Sequence, residues 1–136
     1  MNIAVTNLQR KIPVPVFKIR SAARKALYKL SPSLTLPARG REYLLELSIV
    51  FVGLKRMRRI NKKYLGHDYA TDVLTFDHGE IIVCPRTAAH NAKRHGNTVD
   101  QELILYVMHG LLHLAGYDDK TAEDKRRMRE KERELM

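Results

Sequence analysis

The chain has 136 residues, with 25 Lys plus Arg against 15 Asp plus Glu and a formal net charge of +10. That length suits one domain, residues 1–136, large enough for a hydrophobic core without staples. The single cysteine, Cys84, excludes an internal disulfide and fits a reducing, cytoplasmic location. With 44% hydrophobic and 29% charged residues, the composition is globular rather than disordered. Met1–Val5 carries no charged leader, so secretion is not expected. Charge, Gly or His interrupts every apolar window before the roughly 18–20 residues needed to cross a membrane.

The basic excess leaves nucleic acid, an anionic membrane surface or an acidic protein as partner. No acidic residue precedes Glu42, whereas Arg10, Lys18, Arg20, Arg24, Lys25 and Lys29 all do. From Lys120 onward the charges nearly balance. Such segregation favours a polyanion-binding face over a surface tuned only for solubility.

Asn2–Val5 reads as a short strand. Ile19, Ala23, Ala26, Leu27 and Leu30 recur at helical spacing from Val16 to Leu30, and Ser31-Pro32-Ser33 ends that helix. Glu42–Val52 reads as one largely buried strand. After Gly53, the apolar series Leu54, Met57, Ile60 and Tyr64 defines a second helix crowded with Lys55, Arg56, Arg58, Arg59, Lys62 and Lys63. Leu65–Asp72 is a loop. Val73–Phe76 and Glu80–Val83 form a hairpin about Asp77-His78-Gly79. Pro85 opens a third helix that Gly96 ends. Thr98 and Gln101 make a capping box for a fourth, apolar around most of its circumference and therefore central, which Gly116 stops. A charged fifth helix from Thr121 to Leu135 has few apolar positions, so shallow packing and a ragged end are expected.

The segment His109–Asp119 reads H-G-L-L-H-L-A-G-Y-D-D. His109 and His113 are four apart and share a helix face, roughly 6 Å apart along the axis, a spacing suited to two imidazoles on one metal. Glu102 and Tyr106 fall on the same side, away from the stripe Leu103, Val107, Leu111 and Leu114. The spacing H-x-x-x-H-x-x-G-x-x-D is the metzincin arrangement, with Gly116 turning the chain so that Asp119 returns as third ligand. Gly110 stands where a metalloprotease carries its Glu base, which argues against peptide hydrolysis. Two His and one carboxylate form an established zinc set, and the carboxylate favours harder ions such as manganese more than three imidazoles would.

His109–Asp119 closely resembles the H-G-x-L-H-L-x-G-Y-D-H signature of the YbeY family of bacterial rRNA maturation factors. Ile60-Asn61-Lys62-Lys63-Tyr64 and Thr71-Asp72-Val73-Leu74-Thr75-Phe76 are similar to its second motif, and Gly79–Val83 to the strand that follows. The resemblance implies an α+β fold with a small mixed sheet, about five helices and a central buried helix bearing the ligands. It also implies a bound zinc, single-strand-specific endoribonuclease activity, and a role in 16S rRNA 3′-end maturation and ribosome quality control. The metal positions carry over to His109, His113 and Asp119, the two histidines being catalytic through the metal. The family's arginine after the tyrosine is Leu65 here, and its proline before Thr-Asp is Ala70.

The expected partners are therefore single-stranded rRNA and the small ribosomal subunit, the backbone being held by Arg24, Lys25, Lys55, Arg56, Arg58, Arg59, Lys62 and Lys63. The alternative is a ribosome-assembly RNA-binding factor with weak or lost catalysis, which Leu65 and Asp119 together allow. A hydrolase of another substrate stands third. His67, His78, His90 and His95 are expected at the surface or in turns, and Cys84 as a small buried hydrophobe. Asp72 is expected to bond within its loop and border the cleft. Glu102 is a candidate acceptor for a ligand imidazole, although its place in the first helical turn already accounts for it.

Overall fold

A strand that is apolar on both faces is buried on both, and Ile49–Val52 has that pattern. In the computed structural model, which describes residues 2–30, 36–38, 41–44 and 46–136, it forms the interior of the sheet. The elements in order are β1 (Asn2–Asn7), α1 (Val16–Leu30), β2 (Leu36–Ala38), β3 (Arg41–Leu44), β4 (Glu46–Phe51) and α2 (Leu54–Leu65). They continue with β5 (Val73–Phe76), β6 (Glu80–Val83), α3 (Pro85–His95), α4 (Val99–Leu114) and α5 (Ala122–Leu135). The four-stranded sheet has the order β1-β4-β6-β5, with β1, β4 and β6 parallel and β5 antiparallel at one edge. This is the expected α+β fold with a mixed sheet.

The pleat divides the core in two. Leu47, Ile49 and Phe51 of β4 and Ile81 and Val83 of β6 meet α1, α4 and α5 on one face. Val50, Val52, Ile82 and Cys84 meet Met57 and Ile60 of α2 on the other. Cys84 is buried, as its hydrophobic reading required.

The single strand expected over Glu42–Val52 is two strands in different sheets. Among the described residues, β4 pairs parallel with β1 from Asn2↔Glu46 onward, whereas β3 pairs antiparallel with β2 in a separate sheet. The Ser31-Pro32-Ser33 stop lies outside the described residues. Among those described, no helix is long and apolar enough to cross a membrane.

The fifth helix also differs from expectation. Thr121 and Asp124 form a capping box, and Met128 and Leu135 are buried against the core, so α5 is docked along its length. Sparse apolar positions suffice because Met128 and Leu135 are seven apart and fall on one face.

α4 lies at the centre, packed on α1, α3, α5 and the sheet. Its capping box at Thr98 and Gln101 is present as read. Gly110 marks its closest approach to β6: a Cβ there would lie 2.8, 2.9 and 3.0 Å from three side-chain carbons of Ile81. Because Ile is stiff at χ1, this contact has little room to give. Gly110→Ala is therefore expected to lose about 1–2 kcal/mol in urea unfolding, since overpacking of about 1–3 kcal/mol outweighs a helix-propensity gain of at most about 1 kcal/mol. Adding Ile81→Val should recover part of the loss; a more stable Gly110→Ala protein would contradict this account of the packing.

Candidate metal centre

With α4 seated on the sheet, the face bearing His109 and His113 emerges beside the loop that leads into edge strand β5. At its C-terminus the chain leaves α4 through a paired turn: Gly116 N–H donates to His113 O at 3.0 Å and Tyr117 N–H to Leu112 O at 2.9 Å. This is a Schellman motif, which requires the left-handed conformation that Gly116 adopts at φ +100°. The reversal brings Asp119 back over the two histidines.

The three ligand atoms form a tight triangle. His109 Nε2 and His113 Nε2 are 3.1 Å apart, and each is 3.5 Å from Asp119 Oδ2. Donors about 2.0–2.1 Å from a tetrahedral zinc lie about 3.3–3.4 Å from one another, so the set fits one face of such a site. Each histidine side chain is 28% exposed and Asp119 43%, which leaves an open side for substrate.

Sequence reasoning missed a fourth residue. Glu132 of α5 accepts a hydrogen bond from His109 Nδ1 at 2.7 Å. That contact places the ring proton on Nδ1 and turns the Nε2 lone pair toward the triangle, the carboxylate–histidine arrangement common behind metal ligands. Burial pulls the His109 pKa down, but the hydrogen bond and charge of Glu132, with the charges of Asp119 and Asp72, hold it above its ordinary value. A carboxylate beside Met128 and Leu135 on the docked face of an otherwise solvated helix was the available signal.

Glu102 does not serve His109. It is fully buried and accepts from His95 Nδ1 at 3.0 Å and Asn97 Nδ2 at 2.9 Å, fastening the end of α3 to α4. His95 is thus exposed, as expected, but partnered. Asp72 does both things foreseen for it: Oδ1 accepts from Val73 N at 2.8 Å, and its side chain borders the site. Burial, then the charges of Asp72 and Glu102, push the Tyr106 phenol upward against a hydrogen bond from Asn91, so Tyr106 stays protonated.

Two cavities flank the triangle. One of about 430 Å³ is lined by Tyr106, His109, Asp119, Lys125, Arg129 and Glu132, among others. The other, about 410 Å³, includes Leu65, Asp72, Asp77, His113, Asp118 and Lys120. Leu65 therefore does face the site. None of the eight basic residues expected to hold RNA lines either cavity. Arg24 and Lys25 project from α1 and the other six from α2, on opposite faces of the sheet. They do not form one patch, because β4 and β6 are apolar on both sides and each face takes its own basic helix. Arg58 and Lys62 are further drawn to Asp68, at 2.7 and 3.8 Å.

A four-stranded mixed sheet packed under a helix that bears two histidines, with an aspartate returned over them by a glycine turn and a carboxylate behind one ring, defines an α+β protein with a His-His-Asp cluster that could hold a cation. The family model described as endoribonuclease YbeY matches residues 4–136, and the chain belongs to that family of RNA-cleaving hydrolases. It is 40% identical over 97 residues to the endoribonuclease YbeY of Chlorobium luteolum, spanning 66% of this chain and 71% of that one. It is 34% identical to that of Thermodesulfovibrio yellowstonii across 100% of this chain and 96% of that one. The solution structure of TM1509 from Thermotoga maritima is similar at a TM-score of 0.64 and 27% identity, covering 98% of this chain and 85% of the other.

Glu132→Gln is expected to weaken zinc binding about 10–100-fold, the usual cost of removing such a partner, in competition titrations against a chromophoric chelator. Zinc must displace the proton from the Nε2 side of His109, so affinity falls as pH drops through a value above the ordinary imidazole one. In Glu132→Gln that fall moves to lower pH; an unshifted profile would contradict the role of Glu132.

Proposed function

We propose that this protein is a zinc-dependent, single-strand-selective endoribonuclease acting in 16S rRNA 3′-end maturation and ribosome quality control in the cytoplasm, with the small ribosomal subunit as its setting. The observation that carries the metal-dependent part is the convergence of His109 Nε2, His113 Nε2 and Asp119 Oδ2 at tetrahedral-face spacing. Family membership supports RNA as the substrate.

His109, His113 and Asp119 would hold the ion. When bound, zinc supplies Lewis-acid stabilisation of a developing phosphoryl charge and a lowered pKa for water, and manganese does so more weakly. The protein's own groups do the rest. Glu132 keeps the His109 proton on Nδ1 and the ring in register. Asp119 lowers the net positive charge at the centre relative to a third imidazole. Tyr106 offers a protonated hydroxyl at the cavity wall rather than a base. Position 110, where a metalloprotease places its carboxylate, faces Ile81 without room for a side chain, which removes the peptide-hydrolysing arrangement on steric grounds as well.

One observation favours the second reading, an RNA-binding assembly factor with little catalysis: Leu65 puts an aliphatic chain in the cavity at the position where the resemblance implied an arginine. Cleavage of a single-stranded oligoribonucleotide separates the two. The enzyme reading expects cleavage that a chelator abolishes, zinc restores and His113→Ala reduces to background. Full activity in His113→Ala would show the site to be wrong, whereas RNA binding without cleavage by the unsubstituted protein selects the second reading.

A further inference from the structure

The cations of α5 divide into two sets. Arg126 and Arg127 are bound to Glu123, at 2.6 and 3.3 Å, and Lys131 to Glu134 at 3.0 Å. Lys125, Arg129 and Arg133 have no ion-pair partner among the described residues. These three are spaced four apart, so they form a single row along the helix with about 6 Å of rise per step. Like charges at this spacing repel one another along the helix, so the row works against the folding of its own element.

The row starts at the metal centre. Lys125 and Arg129 line the 430 Å³ cavity together with His109, Asp119 and Glu132. Arg129 and Glu132 also line the adjoining 350 Å³ depression, which Arg133 continues toward Met136. The cavity's carboxylates have partners of their own: Glu132 Oε1 takes the His109 proton, Asp119 Oδ2 faces both imidazoles, and Asp72 Oδ1 accepts from Val73 N. On the other flank of the triangle, Asp72, Asp77, Asp118 and Asp119 line the cavity together with Lys120. The α5 side of the centre therefore carries two cations, Lys125 and Arg129, against the single Lys120 of the other side.

We propose that Lys125, Arg129 and Arg133 form a phosphate track on α5 along which the backbone of single-stranded RNA leaves the metal centre on one side of the scissile bond. The proposal rests on the endoribonuclease reading for its substrate. The track supplies, from α5, backbone cations that neither α1 nor α2 brings to the cavities. Successive side chains one helical turn apart suit successive phosphates of an extended strand, and Arg129 and Arg133 can engage phosphate oxygens in pairs. Contacts of this kind position the strand and carry no base sequence.

The test compares the unsubstituted protein with Lys125→Ala, Arg129→Ala, their double variant and Arg126→Ala, whose cation is paired within the helix. Binding of a fluorescein-labelled single-stranded oligoribonucleotide is followed by anisotropy across a potassium chloride series, with chelator present to suppress cleavage. Zinc-loaded samples give KM and kcat. Each track substitution is expected to lower the slope of log affinity against log salt by about 0.7. KM should rise severalfold, kcat should change less, zinc content should stay the same, and Arg126→Ala should match the unsubstituted protein. Arg129→Lys should keep the slope while losing part of the affinity.

Unchanged slopes and KM in the double variant, alongside cleavage by the unsubstituted protein, overturn the track and leave the enzyme reading intact. Reduced slopes with no cleavage by any sample uphold the track and reject the enzyme reading. No binding by the unsubstituted protein overturns both.

Discussion

The close approach of α4 to β6 at Gly110 and Ile81 is the constraint from which the site follows. A helix that can lie this near a sheet becomes the member against which the others pack. α1, α3 and α5 all rest on α4, and Glu102, buried within it, is tied by His95 and Asn97 to the end of α3. Successive helical residues turn by about 100°, so fixing Gly110 against Ile81 also fixes where His109 points. The imidazoles stand at a partly exposed edge of the molecule, each side chain 28% exposed.

Three further elements complete the centre, and each depends on that placement. The Schellman turn at Gly116 reverses the chain closely enough for Asp119 to stand 3.5 Å from both imidazole nitrogens. The capping box at Thr121 then starts α5, whose Met128 and Leu135 dock it beside α4. Docking in turn delivers Glu132 to His109 Nδ1. Docking of α5 and orientation of the His109 ring are thus coupled. The same docked face presents Lys125 and Arg129 to the cavity, so an element that looks like a solvated appendage contributes both ligand orientation and local positive charge.

Local chemistry explains how much was legible in the sequence. His109, His113, Gly116 and Asp119 lie within one helix and its turn, where helical spacing and the glycine fix geometry from neighbours alone. The capping box at Thr98 and Gln101, the β5–β6 hairpin and the helix starts at Leu54 and Pro85 were readable for the same reason. Glu132 was not, because it meets His109 across 23 positions of chain and only tertiary docking brings them together. The division of Glu42–Val52 into β3 and β4 depends on which partners each half pairs with, β2 for one and β1 and β6 for the other, which is invisible in the strand itself. The expectation that α1 and α2 hold RNA followed from charge segregation along the chain, which does not say that the two helices cover opposite faces of the sheet.

The central claim is that His109, His113 and Asp119 make one cation site, and elemental analysis of protein purified without added metal tests it most directly. The account predicts near-stoichiometric zinc in the unsubstituted protein and in Asp119→His, and its loss in Asp119→Ala with the fold intact by circular dichroism. Zinc retained at full stoichiometry in Asp119→Ala, or none bound by the unsubstituted protein even after zinc is supplied, would contradict it.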